Sequence, residues 1–122
     1  MKILLFGANG QVGHELRRSL APLGELIATT RSGALEDGMP CLAADFDTPD
    51  SLPALIERVS PDIVVNAVAH TAVDRAESDR EAAFRANAEA PQRIAEACAA
   101  HDALLVHYST DYVFDGTGKR PY

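Results

Sequence analysis

The chain has 122 residues, 47% of them hydrophobic and 24% charged, so it is long enough for one domain with a core and too short for two. A net charge of -7 and only eleven scattered Lys and Arg residues argue against a nucleic-acid surface. No apolar run approaches the ~20 residues of a membrane span or suits a signal peptide. We therefore expect a cytoplasmic protein with no nucleic-acid or membrane partner, in which the widely spaced Cys41 and Cys98 are reduced.

Short apolar runs alternate with longer helix-like stretches along the chain. The five predicted strands are 2–7, 25–30, 41–45, 62–70 and 103–108. The three predicted helices are 10–24, 47–61 and 79–100. We expect the last helix to break near Asn87, with Pro91 in the first turn of its second part. This order predicts an α/β fold, a Rossmann-type doubly wound parallel sheet with helices on both faces.

Three glycines separate the first predicted strand from the first helix, in the segment GANGQVG. A tight turn favours Gly7, a pyrophosphate that approaches the backbone favours Gly10, and close packing of helix on strand favours Gly13. Because a strand precedes these glycines and a helix follows them, the loop predicts nucleotide binding. The alternative is that the glycines serve only a turn.

Arg31 follows the second predicted strand, at the place where an acidic residue would hold an unmodified ribose. An arginine can pair with a 2′-phosphate, so NADPH is favoured over NADH, and use of both cofactors stays open. The alternative is a solvent-exposed arginine in a loop. As a bare sequence feature, Asp45 after the third strand fits a helix-capping or loop residue.

Polar residues also follow the fourth and fifth predicted strands. In an open parallel sheet, ligands bind outside the carboxyl ends of the strands, which predicts a site there. The residues concerned are Asn66, His70, Thr71 and Asp74, in the second half of the fourth strand and just after it, and Ser109, Thr110 and Asp111 after the fifth. A helix N-cap is the alternative for the last three. We expect His70 and His107 to be packed rather than metal-bound, and His14 and His101 to lie on helix surfaces.

Four segments together resemble the dTDP-4-dehydrorhamnose reductase family of the extended short-chain dehydrogenase/reductase superfamily: GANGQVG, VNAVAHTAVDRAE, RANAEAP and HYSTDYVFDGTG. The resemblance implies a Rossmann domain followed by a smaller substrate domain, with residues 1–122 forming an incomplete NAD(P)-binding domain. It implies NAD(P)H-dependent reduction of dTDP-4-dehydro-L-rhamnose to dTDP-L-rhamnose, a step of nucleotide-sugar and cell-surface polysaccharide biosynthesis. A dTDP-sugar substrate is the implied partner, and a homodimer is left open.

The resemblance also implies roles for individual residues. With the glycine loop and Arg31, the expected cofactor-binding set is Gly7, Gly10, Gln11, Val12, Gly13, Arg31, Asp45, Phe46, Ala67, Ala69, Thr71 and Asn87. In this set the resemblance places Asp45 and Phe46 near the adenine. The expected substrate-binding set is Val73, Asp74 and Tyr112. Thr110 matches the family's catalytic hydroxyl, with Asp111 beside it. A hydroxyl aimed at the substrate carbonyl stabilises the negative charge that hydride delivery builds on its oxygen.

The Tyr-x-x-x-Lys pair that supplies the acid in this superfamily is missing from these residues. The lysines are Lys2 and Lys119, and neither lies four residues after a tyrosine. We therefore interpret the chain as the N-terminal part of a reductase. Two alternatives stay open: an epimerase or dehydratase of the same superfamily, and a non-catalytic nucleotide-binding regulatory subunit.

We expect the 122-residue chain by itself to have no appreciable reductase activity, because it lacks this proton donor. The measurement is oxidation of NADPH in the presence of the dTDP-4-keto sugar. Turnover of the sugar by this chain would contradict the interpretation.

Overall fold

The computed structural model describes residues 1–68 and 80–108, which contain a five-stranded parallel sheet in the order β3-β2-β1-β4-β5. Its strands are β1 (Lys2–Phe6), β2 (Glu25–Thr30), β3 (Leu42–Ala43), β4 (Ile63–Asn66) and β5 (Leu104–His107). The described helices are α1 (Gln11–Leu20), α2 (Leu52–Val59), α3 (Arg80–Phe84) and α4 (Ala90–Ala100), with a π-helical segment at Arg85–Glu89. Short 3-10 turns lie at Ala21–Leu23 and Pro49–Ser51. The parallel α/β architecture confirms the predicted fold class.

Strand β1 lies at the centre of the sheet and is buried on both faces. Leu4 and Phe6 pack into a cluster that includes residues of α2 and α4. Ile3 and Leu5 point the other way and pack with side chains of α1. Successive residues of a strand face opposite sides, so a continuously apolar strand implies a helical layer on each face. The structure has these two layers, as a doubly wound sheet requires.

The turn between β1 and α1 depends on a very close approach of backbone to backbone. A Cβ built on Gly13 would lie 1.8 Å from the carbonyl oxygen of Gly7, a distance that no side chain tolerates. Gly13 is buried in the first turn of α1, so the helix starts directly against the end of β1. The packing role expected for Gly13 is confirmed.

The helical run that contains Asn87 differs from the sequence prediction. Arg80–Phe84, Arg85–Glu89 and Ala90–Ala100 follow one another without a gap, so Asn87 does not begin a helix. The interruption that the sequence suggested is a change of winding to π-helix, a local widening that keeps the chain helical. Pro91 is in the first turn of α4, as predicted.

Strand β5 forms an edge of the described sheet and is more exposed than its apolar sequence suggested. Leu104 is 61% exposed and Val106 is 41% exposed. His107 is exposed as well, so the expectation that it is packed was wrong. Its place on an edge strand explains the difference, because only β4 covers one side of that strand. His14 and His101 are exposed, one on α1 and one just after α4, as expected.

Within residues 1–68 and 80–108, no helix is long and apolar enough to cross a membrane.

Substitution of Gly13 by Ala should destabilise the protein by about 2 kcal/mol or more, because the new methyl group overpacks a site that lacks room for it. Gly10→Ala is the matched control, since a Cβ there meets nothing nearer than the Gly7 oxygen at 3.6 Å. Urea unfolding of the two variants measures the difference. Equal midpoints would show that the close approach carries no stability.

Candidate functional site

The glycine loop lies at the carboxyl end of β1, against the start of the segment that follows β4. Gly7 has φ +81°, a conformation that suits glycine, and its carbonyl oxygen accepts a hydrogen bond from the Gly10 N–H at 3.2 Å. A Cβ on Gly7 would come within 2.8 Å of the Val68 side chain and 3.0 Å of the Ala67 backbone. The loop and Ala67 are therefore neighbours at the junction of β1 and β4, where the strand order reverses.

The start of α1 is open to a ligand. Gly10 is the N-cap residue, no side chain caps the helix, and its first turn contains no acidic residue. Gln11 and Val12 are exposed there, while Arg17 and Arg18 lie in the last turn, at the opposite end of the helix. A helix start offers unpaired N–H groups and a positive dipole end, which suit an anion such as a pyrophosphate. The open space at Gly10 fits this use, since a side chain would occupy it.

Asn66 connects the ends of β4 and β5. Its side chain is fully buried, and its Oδ1 accepts the Val68 N–H at 3.1 Å. Its Nδ2 lies 3.1 Å from Nδ1 of His107, and its carbonyl oxygen accepts the Tyr108 N–H at 3.2 Å. A polar residue at the end of an apolar strand was the sequence signal for this position. Its role in holding both strand ends together was not predicted.

The end of β2 is organised by a buried threonine. The Thr30 hydroxyl accepts the N–H groups of Gly33 and Ala34 and donates to the carbonyl oxygen of Ala34 at 3.0 Å. The side chain is thus fully engaged in shaping the loop after the strand. Arg31 follows directly and extends outward, with 74% of its side chain exposed.

Two carboxylates hold Arg31 in this position. Its Nη2 donates to Asp47 Oδ2 at 2.7 Å, and its Nε lies 3.6 Å from Asp45 Oδ1. Asp47 also lies 3.5 Å from Nη2 of Arg85, which is on the π-helical segment. Arg31 is therefore exposed, as one interpretation held, and it is also paired. Neither Asp47 nor Arg85 was singled out from the sequence, because nothing local indicates that they meet.

The two residues expected near an adenine differ in their side chains. Asp45 Oδ1 accepts the Asp47 N–H at 2.9 Å, so this carboxylate shapes a loop in addition to facing Arg31. Phe46 is buried in the core and contacts Phe6 edge to face, with ring centroids 5.5 Å apart. The Phe46 ring is therefore unavailable to stack on an adenine, because its place in the core is fixed by packing. Its backbone alone is left for such a contact.

Asn87 is exposed on the π-helical segment, two residues after Arg85, and makes an interaction of its own. The other expected site residues lie outside the described residues. They are Ala69, Thr71, Val73, Asp74, Thr110, Asp111 and Tyr112, together with His70. The structure thus brings the glycine loop and Ala67 together at one strand junction, and Arg31 and Asp45 together at the ends of β2 and β3.

Among the described residues, three ionisable groups away from these strand ends have a shifted pKa: Cys98, Asp37 and Arg93, whose pKa is raised by its hydrogen bond to Asp50. Burial raises the pKa of the Cys98 thiol, and both cysteines are free. A hydrogen bond from Arg17 holds the pKa of Asp37 below its ordinary value. In the described part of the chain, no group of three or more His, Cys, Asp or Glu side chains is placed to hold a metal ion.

A family model described as the RmlD substrate binding domain matches residues 1–122. The chain belongs to this family. The match agrees with the predicted resemblance to dTDP-4-dehydrorhamnose reductases. The described residues of this RmlD-family chain include the parallel sheet and the glycine loop, and the family description refers to substrate binding.

Two relatives of the RmlD-family chain carry the same name. The chain is 49% identical to the dTDP-4-dehydrorhamnose reductase of Salmonella typhimurium over 122 residues, which are 100% of this chain and 39% of that protein. It is 51% identical to the reductase of that name from Burkholderia thailandensis, covering 100% of this chain and 38% of the relative. The chain thus spans about two fifths of the length of these relatives.

A solved structure extends the comparison. The dTDP-4-dehydrorhamnose reductase of Bacillus anthracis, crystallised in complex with NADP, superposes with a TM-score of 0.79 at 28% identity. The match covers 97% of this chain and 39% of that one. The fold of the RmlD-family chain is therefore that of part of a reductase whose structure contains NADP.

Proposed function

We propose that this chain is the NAD(P)-binding part of a dTDP-4-dehydrorhamnose reductase, which reduces the 4-keto group of dTDP-4-dehydro-L-rhamnose with NADPH. The observation that carries the proposal is the open start of α1 at Gly10, packed at the junction of β1 and β4. The identity of 49% to the Salmonella typhimurium reductase across the whole chain supports the choice of reaction. A cytoplasmic location and a separate substrate domain stay predictions.

The cofactor would lie across the carboxyl ends of the strands. Gly7, Gly10 and the N–H groups of Gln11 and Val12 would hold the pyrophosphate, because this helix start supplies donors without a competing carboxylate. Ala67 borders the same loop, and Ala69 and Thr71 would continue this contact toward the nicotinamide. When bound, the nicotinamide supplies the hydride for the carbonyl carbon.

Thr110 would act on the substrate carbonyl, with Asp111 beside it. The support comes from the path of β5: Tyr108 still donates to the Asn66 carbonyl at 3.2 Å, so the chain is held at the carboxyl edge two residues before Thr110. A hydroxyl donor at this edge stabilises the negative charge that forms on the carbonyl oxygen. Val73, Asp74 and Tyr112 would contact the sugar nucleotide.

Arg31 would pair with the 2′-phosphate of NADPH. It lies directly after β2 and is largely exposed, so a phosphate can reach its guanidinium. Thr30, at the last position of β2, uses its hydroxyl within the loop and carries no charge to repel that phosphate.

The test of the reaction is an assay of the full-length natural protein with NADPH and a dTDP-4-keto sugar. We expect NADPH oxidation coupled to formation of a dTDP-6-deoxysugar in which the 4-keto group has been reduced to a hydroxyl. An epimerase or dehydratase would change the sugar without net oxidation of NADPH. A regulatory subunit would bind NADPH and leave the sugar unchanged, and either result would overturn the reductase assignment.

Arg31→Ala in the full-length protein should raise the KM for NADPH about tenfold and change the KM for NADH much less, because a charged hydrogen bond to the 2′-phosphate is lost. Arg93→Ala is the matched control, since Arg93 is also a surface arginine paired with an aspartate, Asp50 at 2.9 Å. An equal change for both cofactors would refute the 2′-phosphate role.

A further inference from the structure

The carboxylate of Asp47 lies between two arginines from different parts of the chain. Its Oδ2 accepts from Arg31 at 2.7 Å, and its Oδ1 lies 3.5 Å from Nη2 of Arg85. The Asp47 side chain is 35% exposed and Arg85 is 32% exposed, so this pair is better shielded from water than Arg31, at 74%. Each oxygen of one carboxylate thus has its own cation.

Arg85 interacts with Asp47 through its charge rather than through a short hydrogen bond. Its Nε is buried and has no hydrogen-bond partner among the described residues, which is unfavourable for an N–H group. Its Nη2 faces Asp47 at the longer distance of 3.5 Å. The electrostatic attraction between Arg85 and the Asp47 carboxylate is therefore the contribution of this side chain.

A 2′-phosphate and Asp47 would compete for the same guanidinium. Both are anions that prefer the planar donors of arginine, and Arg31 already directs Nη2 to Asp47. A phosphate near Arg31 would also be repelled by the negative charge of Asp47. Because Arg85 lies on the other oxygen, Asp47 keeps a cation when Arg31 turns toward the phosphate.

We propose that Asp47 is a specificity-determining residue that weakens binding of 2′-phosphorylated cofactors by holding Arg31, and that Arg85 is a positioning residue that acts through Asp47 to relieve this competition. The proposal rests on the function proposed above. The new element is that the ratio of the affinities for NADPH and NADH depends on Asp47 and Arg85 in addition to Arg31.

The first test compares dissociation constants of NADPH and NADH for the full-length protein and its Asp47→Asn variant, by titration calorimetry. We expect NADPH to bind about three- to tenfold more tightly to the variant, with little change for NADH. Arg31 would then keep only its longer contact with Asp45, at 3.6 Å, and the repulsive charge of Asp47 would be gone. Asp50→Asn is the matched control, because Asp50 is in the same segment and pairs with Arg93 instead. An unchanged NADPH to NADH ratio in Asp47→Asn, or the same change in Asp50→Asn, overturns the proposal.

The second test is a double-mutant cycle with Arg85→Met, which removes the charge and keeps an apolar side chain. Arg85→Met should weaken NADPH binding about two- to fivefold, because Asp47 then depends on Arg31 alone. In the Asp47→Asn background the same substitution should have no effect on NADPH. A loss of the same size in both backgrounds would mean that Arg85 contacts the phosphate directly, and would overturn its role through Asp47.

The binding measurements distinguish a wrong cofactor site from a wrong role for Asp47. If neither NADPH nor NADH binds to the wild-type protein, then the cofactor-binding function itself is wrong. If both bind and Asp47→Asn leaves their ratio unchanged, then the cofactor site stands and the competition does not exist. Far-UV circular dichroism of each variant verifies that the fold is retained.

Discussion

The close approach of α1 to the end of β1 is the constraint on which the rest of the site depends. The first turn of the helix lies against the Gly7 carbonyl, with no room for a side chain at Gly13. This contact places the helix start, with its unpaired N–H groups, directly over the strand junction. The same turn sets Gly7 against Ala67, so the ends of β1 and β4 form one continuous surface.

From that junction, polar contacts extend to both sides of the sheet. On one side, Asn66 holds the ends of β4 and β5 together through its contacts with His107 and Tyr108. On the other, Thr30 shapes the loop from which Arg31 extends. In the proposed function, the carbonyl chemistry would lie on the first side and the adenosine ribose of the dinucleotide on the second.

The second side, near the ends of β2 and β3, has a balanced set of charges, since two arginines face two aspartates. Such a set can serve a free ribose through its carboxylates and a 2′-phosphate through its arginines. Arg31 is the residue shared by both arrangements, and its partners decide how available it is. Under the proposal, the preference for one cofactor would be a property of all four side chains, of which Arg31 is one.

The sequence by itself determined the parallel sheet and the positions of the glycine turn, because burial periodicity and the need for glycine are local properties of the chain. It also indicated the family, to which the chain belongs. Tertiary structure alone decided that Phe46 packs on Phe6, that His107 is exposed and that Asp47 meets Arg85. These features depend on which segments pack together although they are distant along the chain. No local pattern of the sequence indicates such contacts.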